Sequence, residues 1–260
     1  MSIGGSMFVH NALRYDYCME EAILSLLAFC DQVVVLDCQS DDGTLAALNK
    51  MAERYKALQV QGNGEWTCAP GRERLAILAN QARAHLTTQY HFMLQADEVV
   101  HEASIPFIKQ AVASKSAPGY HCRRWNLYGD ADHCIRLDST SKPCGDDPVR
   151  LGNLNLLAVG DAEGLDSGGC SPEFVKDIVI VHYGLVRRGS SLIDKCMDMQ
   201  SWFFGGHDPR TVQAKEDGVF YATDFTPESE YMALPCSHPV YMNKWLAERK
   251  DDPTRRFKRC

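Results

Sequence analysis

Val33-Val34-Val35-Leu36-Asp37-Cys38-Gln39-Ser40-Asp41-Asp42-Gly43-Thr44 joins an unbroken aliphatic run to a polar loop. Aliphatic residues without alternation are the pattern of a strand buried on both faces. The Asp-Asp-Gly-Thr that follows is turn chemistry and supplies an N-cap for a helix carrying Leu45, Leu48, Ala52 and Tyr55. Upstream, Met7-Phe8-Val9 reads as a short strand. Cys18, Ala22/Ile23, Leu26/Leu27 and Cys30 then recur at helical steps. Downstream, Leu58 to Gln61 alternates as a strand, Asn63-Gly64 turns, and Leu75, Leu78, Ala82 and Leu86 mark a third helix before the strand Tyr90 to Leu94. Strands alternating with helices predict an α/β fold, a mostly parallel twisted sheet with helices on both faces, whose ligand sits beyond the carboxyl ends of the strands.

The second half is less regular. Tyr120 to Tyr128 reads as a long strand, Asp138 to Gly152 as a polar connection, Ile178 to Val181 as a buried strand and Ser190 to Phe204 as a helix. No Pro/Ser/Gly linker cuts the chain, so residues 1–260 are expected to form one domain.

Composition excludes several classes. The 260 residues, 45% hydrophobic and 23% charged, can bury a sizeable core, which rules out disorder as the main state. The longest aliphatic runs are far shorter than the ~20 residues that span a bilayer. Met1 to Val9 lacks a basic segment and a long apolar core, so a cytoplasmic location is expected. Eleven cysteines, odd in number and without Cys-x-x-Cys spacing, read as reduced core thiols rather than a zinc site. The net charge of −7 argues against a general polyanion binder, although Arg249 to Cys260 holds six basic and two acidic side chains. Arg255, Arg256, Lys258 and Arg259 are therefore candidates to contact an anionic acceptor, against the plainer reading of a solvated terminus.

Candidate chemistry collects at strand ends. Leu94-Gln95-Ala96-Asp97-Glu98 delivers carboxylates where the chain leaves the sheet, and Asp97 suits a hard divalent cation, Mn²⁺ or Mg²⁺, on a phosphate-bearing substrate. An Asp there also caps turns. Asp37 and Asp42 stand at a second strand end, either facing a ligand or holding the loop. Gly71-Arg72-Glu73-Arg74 opens the third helix, where Arg72 either meets phosphate or lies in solvent.

These residues resemble the family-2 glycosyltransferases of glycosyltransferase A-type fold, which use nucleotide-sugar donors. The resemblance runs from Phe8-Val9-His10-Asn11 through the Val33 to Thr44 block to Leu94-Gln95-Ala96-Asp97-Glu98. It is weaker over Gly160-Asp161-Ala162-Glu163-Gly164 and Val181-His182-Tyr183-Gly184-Leu185-Val186-Arg187, which look like a bacterial and phage subgroup. It implies a donor half (1–115), an acceptor and catalytic half (116–205) and a C-terminal extension (206–260). Asn11 and Asp37 would bind the nucleoside, Asp42 would shape that edge, and Val9, Arg72, Gln95, Ala96, Asp97 and Arg187 would line the donor, a UDP-sugar or similar nucleotide-sugar. The family's Asp-x-Asp is Gln95-Ala96-Asp97 here, so the first carboxylate is an amide that ligates cations weakly.

His182, at the end of a buried strand, is the candidate second metal ligand, although a histidine after a strand is also a common structural residue. Transfer to a hydroxyl needs a base. Asp161 is the candidate, with Glu163 and Asp166 competing. The implied reaction is a metal-assisted, inverting transfer to a hydroxyl acceptor: a glycan, a protein or a hydroxymethylated base in DNA. Two readings from other classes stand beside it. A nucleotidyltransferase would need a Gly-rich basic loop after the first strand, and His10-Asn11-Ala12-Leu13-Arg14 has no glycine. A non-catalytic nucleotide- or glycan-binding module is favoured by Gln95.

Overall fold

The computed structural model describes residues 1–69, 71–136, 147–166, 169 and 171–258. Its first half alternates as the sequence predicts: β1 (Ile3–Val9), α1 (Met19–Leu27), β2 (Gln32–Asp37), α2 (Thr44–Arg54), β3 (Leu58–Gln61), α3 (Glu73–Ala84) and β4 (Tyr90–Met93). These strands lie in the order β3-β2-β1-β4, all parallel, so every carboxyl end opens on the same edge. Val33, Val34 and Val35 are fully buried because α1 covers one face of β2 and α3 the other. The register that pairs Val9 with Asp37 sets the loops after β1 and β2 side by side. Gly43 precedes α2 at a φ of +95°, a conformation that glycine adopts without the Cβ penalty.

The second half continues with β5 (Glu98–Val100), α4 (Ile105–Ser114), β6 (Gly119–Tyr128), β7 (His133–Ile135), β8 (Val149–Asn153), β9 (Ala158–Val159), β10 (Gly164–Leu165) and β11 (Glu173–Leu185). It ends with α5 (Gly189–Phe204), α6 (Pro209–Asp217), β12 (Phe220–Tyr221), β13 (Tyr231–Ala233), α7 (Asn243–Ala247) and β14 (Arg255–Arg256). β8 runs antiparallel between β4 and β6, while β11 lies parallel to β6 and antiparallel to β5. The central sheet is thus mostly parallel in its first half and mixed beyond β4. β11 extends the expected Ile178–Val181 strand at both ends and carries a register shift between His182 and Leu185. Part of the polar connection from Asp138 lies outside the described residues.

The C-terminal extension packs back on this frame. Arg249, largely buried, donates through Nε (2.8 Å) and Nη2 to the two carboxylate oxygens of Asp16. Arg255 donates to the Val186 carbonyl, and Arg256 to that of Asp252. β14 pairs with β12. Of the tail residues expected to meet an anionic acceptor, Arg255 is spent inside the molecule on the Val186 carbonyl, while Arg256 and Lys258 are exposed; Arg249, ahead of them, is buried, and a buried guanidinium must find acceptors, here Asp16. Arg259 lies outside the described residues.

Candidate active site

A cavity of about 240 Å³ opens at the carboxyl edge of the parallel strands. The turn after β1 supplies Val9 and His10, and the turn after β4 supplies Gln95, Ala96 and Asp97. Asp161 and Glu163, between β9 and β10, face them across the cavity together with His182 of β11. α5 contributes Lys195 and Trp202, and Trp66 and Arg72 precede α3. Asp161, Glu163, Gln95, Asp97 and His182 are far apart in sequence, and the fold brings them together.

Asp97 is the electrostatic centre. Its Oδ2 accepts from Arg187 Nη2 at 2.7 Å and from Lys195 Nζ at 3.2 Å. Its Oδ1 lies 3.6 Å from His182 Nε2. Burial opposes ionisation, but the positive charge of Lys195, then of His182 and Arg187, outweighs it and holds the carboxyl well below the usual range. His182 is oriented from behind, its Nδ1 standing 2.9 Å from Asn126 Oδ1. Gly184 makes room for the ring: a Cβ there would lie 2.5 Å from His182 Nε2.

Among the described residues, no group of three or more His, Cys, Asp or Glu is placed to hold a metal ion. The pair Asp97 Oδ1 and His182 Nε2 nevertheless fits a cation that draws the rest of its shell from water and a diphosphate, as Mg²⁺ and Mn²⁺ commonly do. Asn126 behind the imidazole is the outer-shell partner such a ligand needs.

Arg187 departs from expectation. It is fully buried and spends Nε on the Gly184 carbonyl, Nη1 on the Tyr15 carbonyl and Nη2 on Asp97. It therefore positions Asp97 from behind and does not line the cavity. Gln95 also points elsewhere than a metal would ask: its Nε2 reaches the Ala162 carbonyl at 3.4 Å, tying the turn after β4 to the Asp161 loop.

That loop is bracketed by left-handed residues, Gly160 at φ +59° and Ala162 at φ +60°. For alanine this conformation costs about 1–2 kcal/mol, so the surrounding contacts must enforce it. They do: Arg150 Nη1 and Gln95 both donate to the Ala162 carbonyl. Glu163 is fixed by Arg124 Nη1 at 2.6 Å, and the same nitrogen meets Glu98 Oε1 at 3.1 Å. Burial favours the neutral acid, but Arg124 and Arg150 prevail and hold the Glu163 carboxyl below its ordinary value. Glu98, fully buried between Arg124 and Arg150, braces the frame rather than facing a ligand. Asp161 is half-buried and pairs with the exposed Arg72 at 3.2 Å. Asp166 is not among the cavity residues.

The loops after β1 and β2 lock each other. The Asn11 N–H donates to Ser40 Oγ, and Asn11 Oδ1 accepts the Asp41 N–H, so its side chain holds the loop. Asp42 accepts from Thr44 N and Oγ1 and from Arg14 N, which depresses its pKa despite partial burial. Asp37 accepts Ser40 N–H through Oδ2, while Oδ1 is buried with no partner among the described residues. A buried carboxylate oxygen without a donor is costly and invites one from a ligand. Asn11, Asp37 and Asp42 all lie behind the cavity wall rather than on it.

Several cavity residues escaped sequence reading, Lys195, His10 and Trp66 among them. Lys195 sits on the apolar stripe of α5 that contains Leu192, Cys196 and Met199, and a lysine on such a stripe is the signal that was available. His10 and Trp66 stack at 4.3 Å with planes 8° apart, and Trp202 meets both edge-on. Trp202 and Phe203 line the cavity, whereas Tyr128 and Tyr183 belong to the core.

No family model matches the chain, and no curated protein matches it. Among solved structures, residues 1–349 of S. aureus TarS in complex with UDP share 11% identity with a TM-score of 0.50, covering 76% of this chain and 64% of that one. The mannosyltransferase PcManGT from Pyrobaculum calidifontis, in complex with GDP-Man and Mn²⁺, shares 15% identity with a TM-score of 0.49 over 74% and 61%. The chain spans less than two thirds of the length of these structures. What the chain has in common with the TarS structure is the α/β, glycosyltransferase A-type fold.

Proposed function

We propose that this chain is a glycosyltransferase of the family-2 type, moving a sugar from a nucleotide-sugar donor to a hydroxyl acceptor with inversion. The observation that carries the reading is the convergence of Asp97, His182 and Asp161 on one cavity at the carboxyl edge of the parallel strands. Residues 1–115 supply the donor side, 116–205 the acceptor side, and 206–260 buttress both.

Asp37 lies behind the wall with its Oδ1 buried, and the loop it braces together with Asn11 and Asp42 shapes the nucleoside edge. Val9, Ala96 and Gln95 form the floor under the donor, and Arg72 closes one side. Asp97 and His182 would hold a Mn²⁺ or Mg²⁺ ion, which when bound neutralises diphosphate charge. Asp161 takes the acceptor proton as the hydroxyl oxygen attacks the anomeric carbon and the carbon–oxygen bond to the diphosphate breaks. Glu163, kept ionised by Arg124, accepts hydrogen bonds from substrate hydroxyls and sets their direction.

The test is turnover of UDP- and GDP-sugars with and without acceptor glycans, in the wild type and in Asp161→Asn. The variant is expected to lose transfer by about 10²–10⁴-fold while binding donor with unchanged affinity. Full transfer by Asp161→Asn would remove it as the base, and absence of donor binding to the wild type would overturn the reading itself.

A further inference from the structure

The charges around Asp97 do not balance. Arg187 Nη2 at 2.7 Å and Lys195 Nζ at 3.2 Å converge on a single carboxylate oxygen. Asp97 is the one carboxylate within 4.0 Å of the Lys195 ammonium among the described residues. Asp198, one turn farther along α5, gives an oxygen to the Tyr15 hydroxyl instead. The neighbouring pairs carry equal charge: Glu98 and Glu163 meet Arg124 and Arg150, and Asp161 meets Arg72. Among the described residues, the Asp97 cluster holds one positive charge in excess, at a wall of the cavity. An uncompensated cation screened from water is costly unless an anion arrives to pair with it.

The two cations are not equivalent. Arg187 has no exposed surface, and its three donor groups are each satisfied. Lys195 keeps 15% of its side chain exposed, lines the cavity and stands 5.0 Å over the Tyr17 ring. Its four-carbon stem lets the ammonium swing while its backbone stays in α5. If Lys195 leaves Asp97, Arg187 still neutralises that carboxylate, so the swing does not strand a buried charge.

We infer that Lys195 is the donor-diphosphate ligand of this site, moving from Asp97 to the diphosphate and carrying the charge that develops as it leaves. The inference rests on the nucleotide-sugar reading above and adds a residue to it. In the step concerned, the electron pair of the breaking anomeric carbon–oxygen bond passes to the diphosphate oxygen. The new bond forms to the acceptor oxygen, whose proton goes to Asp161. Lys195 transfers no proton; its positive charge, once on the diphosphate, meets the negative charge gained by the leaving group, the type of stabilisation that raises turnover most.

The experiment compares UDP with uridine, and GDP with guanosine, by calorimetry on the full chain and on Lys195→Met, which keeps the stem and removes the charge. Lys195→Gln is measured alongside, and thermal unfolding shows which variant is folded. Lys195→Met is expected to weaken nucleoside diphosphate binding by about 10- to 100-fold, the usual worth of one charged hydrogen bond, with nucleoside binding unchanged. kcat should fall by about 10²-fold. An unchanged preference for diphosphate over nucleoside in a folded variant would overturn the role of Lys195 and leave the glycosyltransferase reading standing. A wild type that binds neither diphosphate would overturn both.

Discussion

Arg187 and Asp97 form an ion pair of 2.7 Å in the interior, ninety residues apart in sequence, between the loop after β11 and the turn after β4. Removing one member of such a pair leaves the other buried and uncompensated, which costs about 3–5 kcal/mol. Arg187→Met is therefore expected to lower stability by that order in urea unfolding. Because Lys195 also contacts Asp97, the loss should be smaller than in the double variant Arg187→Met/Lys195→Met, which strips the carboxylate of both cations. Equal losses for Arg187→Met and the double variant would show that Lys195 lends Asp97 no support.

Stability should depend on pH through His91. Burial in β4, with Arg83 adding to it, pushes its pKa down to about 3. The unfolded chain takes up this proton below about pH 6.5, while the folded chain does not until about 3. The unfolded state thus binds more protons across that window, and stability falls as pH drops, by up to about 1.4 kcal/mol per unit. Asp97 acts in the same direction, but its contribution is complete above about pH 4 and is lost only below it. His91→Leu should therefore flatten the slope of unfolding free energy between pH 6 and pH 4.5. An unaltered slope there would assign the acid sensitivity to other groups.

Gly184 is expected to govern the site without governing the fold. An added Cβ would meet the His182 ring at 2.5 Å but Asp97 Oδ2 at 3.4 Å, an ordinary contact. The imidazole is the end of a rotatable side chain, so it moves and the backbone stays. Gly184→Ala should raise the Mn²⁺ concentration for half-maximal activity several-fold while shifting the melting temperature little. His182→Ala should produce the same change; a normal metal requirement in both would make His182 structural.

Deletion of residues 254–258 and beyond is expected to destabilise the protein. It removes β14 from β12, Thr254 from the Ser190 amide and Arg255 from the Val186 carbonyl, one residue before Arg187. The melting temperature should drop, and transfer should fall with any acceptor, anionic or neutral, at low and high salt alike. A truncated protein of full stability, weakened only toward polyanions and only at low salt, would restore the tail as an acceptor contact.

The sequence by itself determined the parallel half. Val33 to Leu36 admits no solvated face, the three- and four-residue steps of α1, α2 and α3 admit only one buried stripe each, and short connections leave parallel strands with their polar ends on a common edge. The placement of Asp97 at that edge follows from those local patterns, whereas Asp161, between β9 and β10, and His182, on β11, reach it only through the fold. Tertiary structure decided which charge each of them meets. Arg187 reads in sequence as one of two adjacent arginines, yet it is buried and Arg188 is half-exposed, one turned inward to Asp97 and the other to Asp16. Lys195 was visible only as a charge on an apolar stripe, and Arg124 and Arg150 as charges within strands. Their partners lie 26 to 98 residues away, and pairing across such distances is set by the sheet that β4, β5, β6, β8 and β11 build together. The basic tail shows the same limit. Its composition was legible, but that Arg249 faces the interior depended on Asp16, whose carboxylate no local pattern links to residue 249.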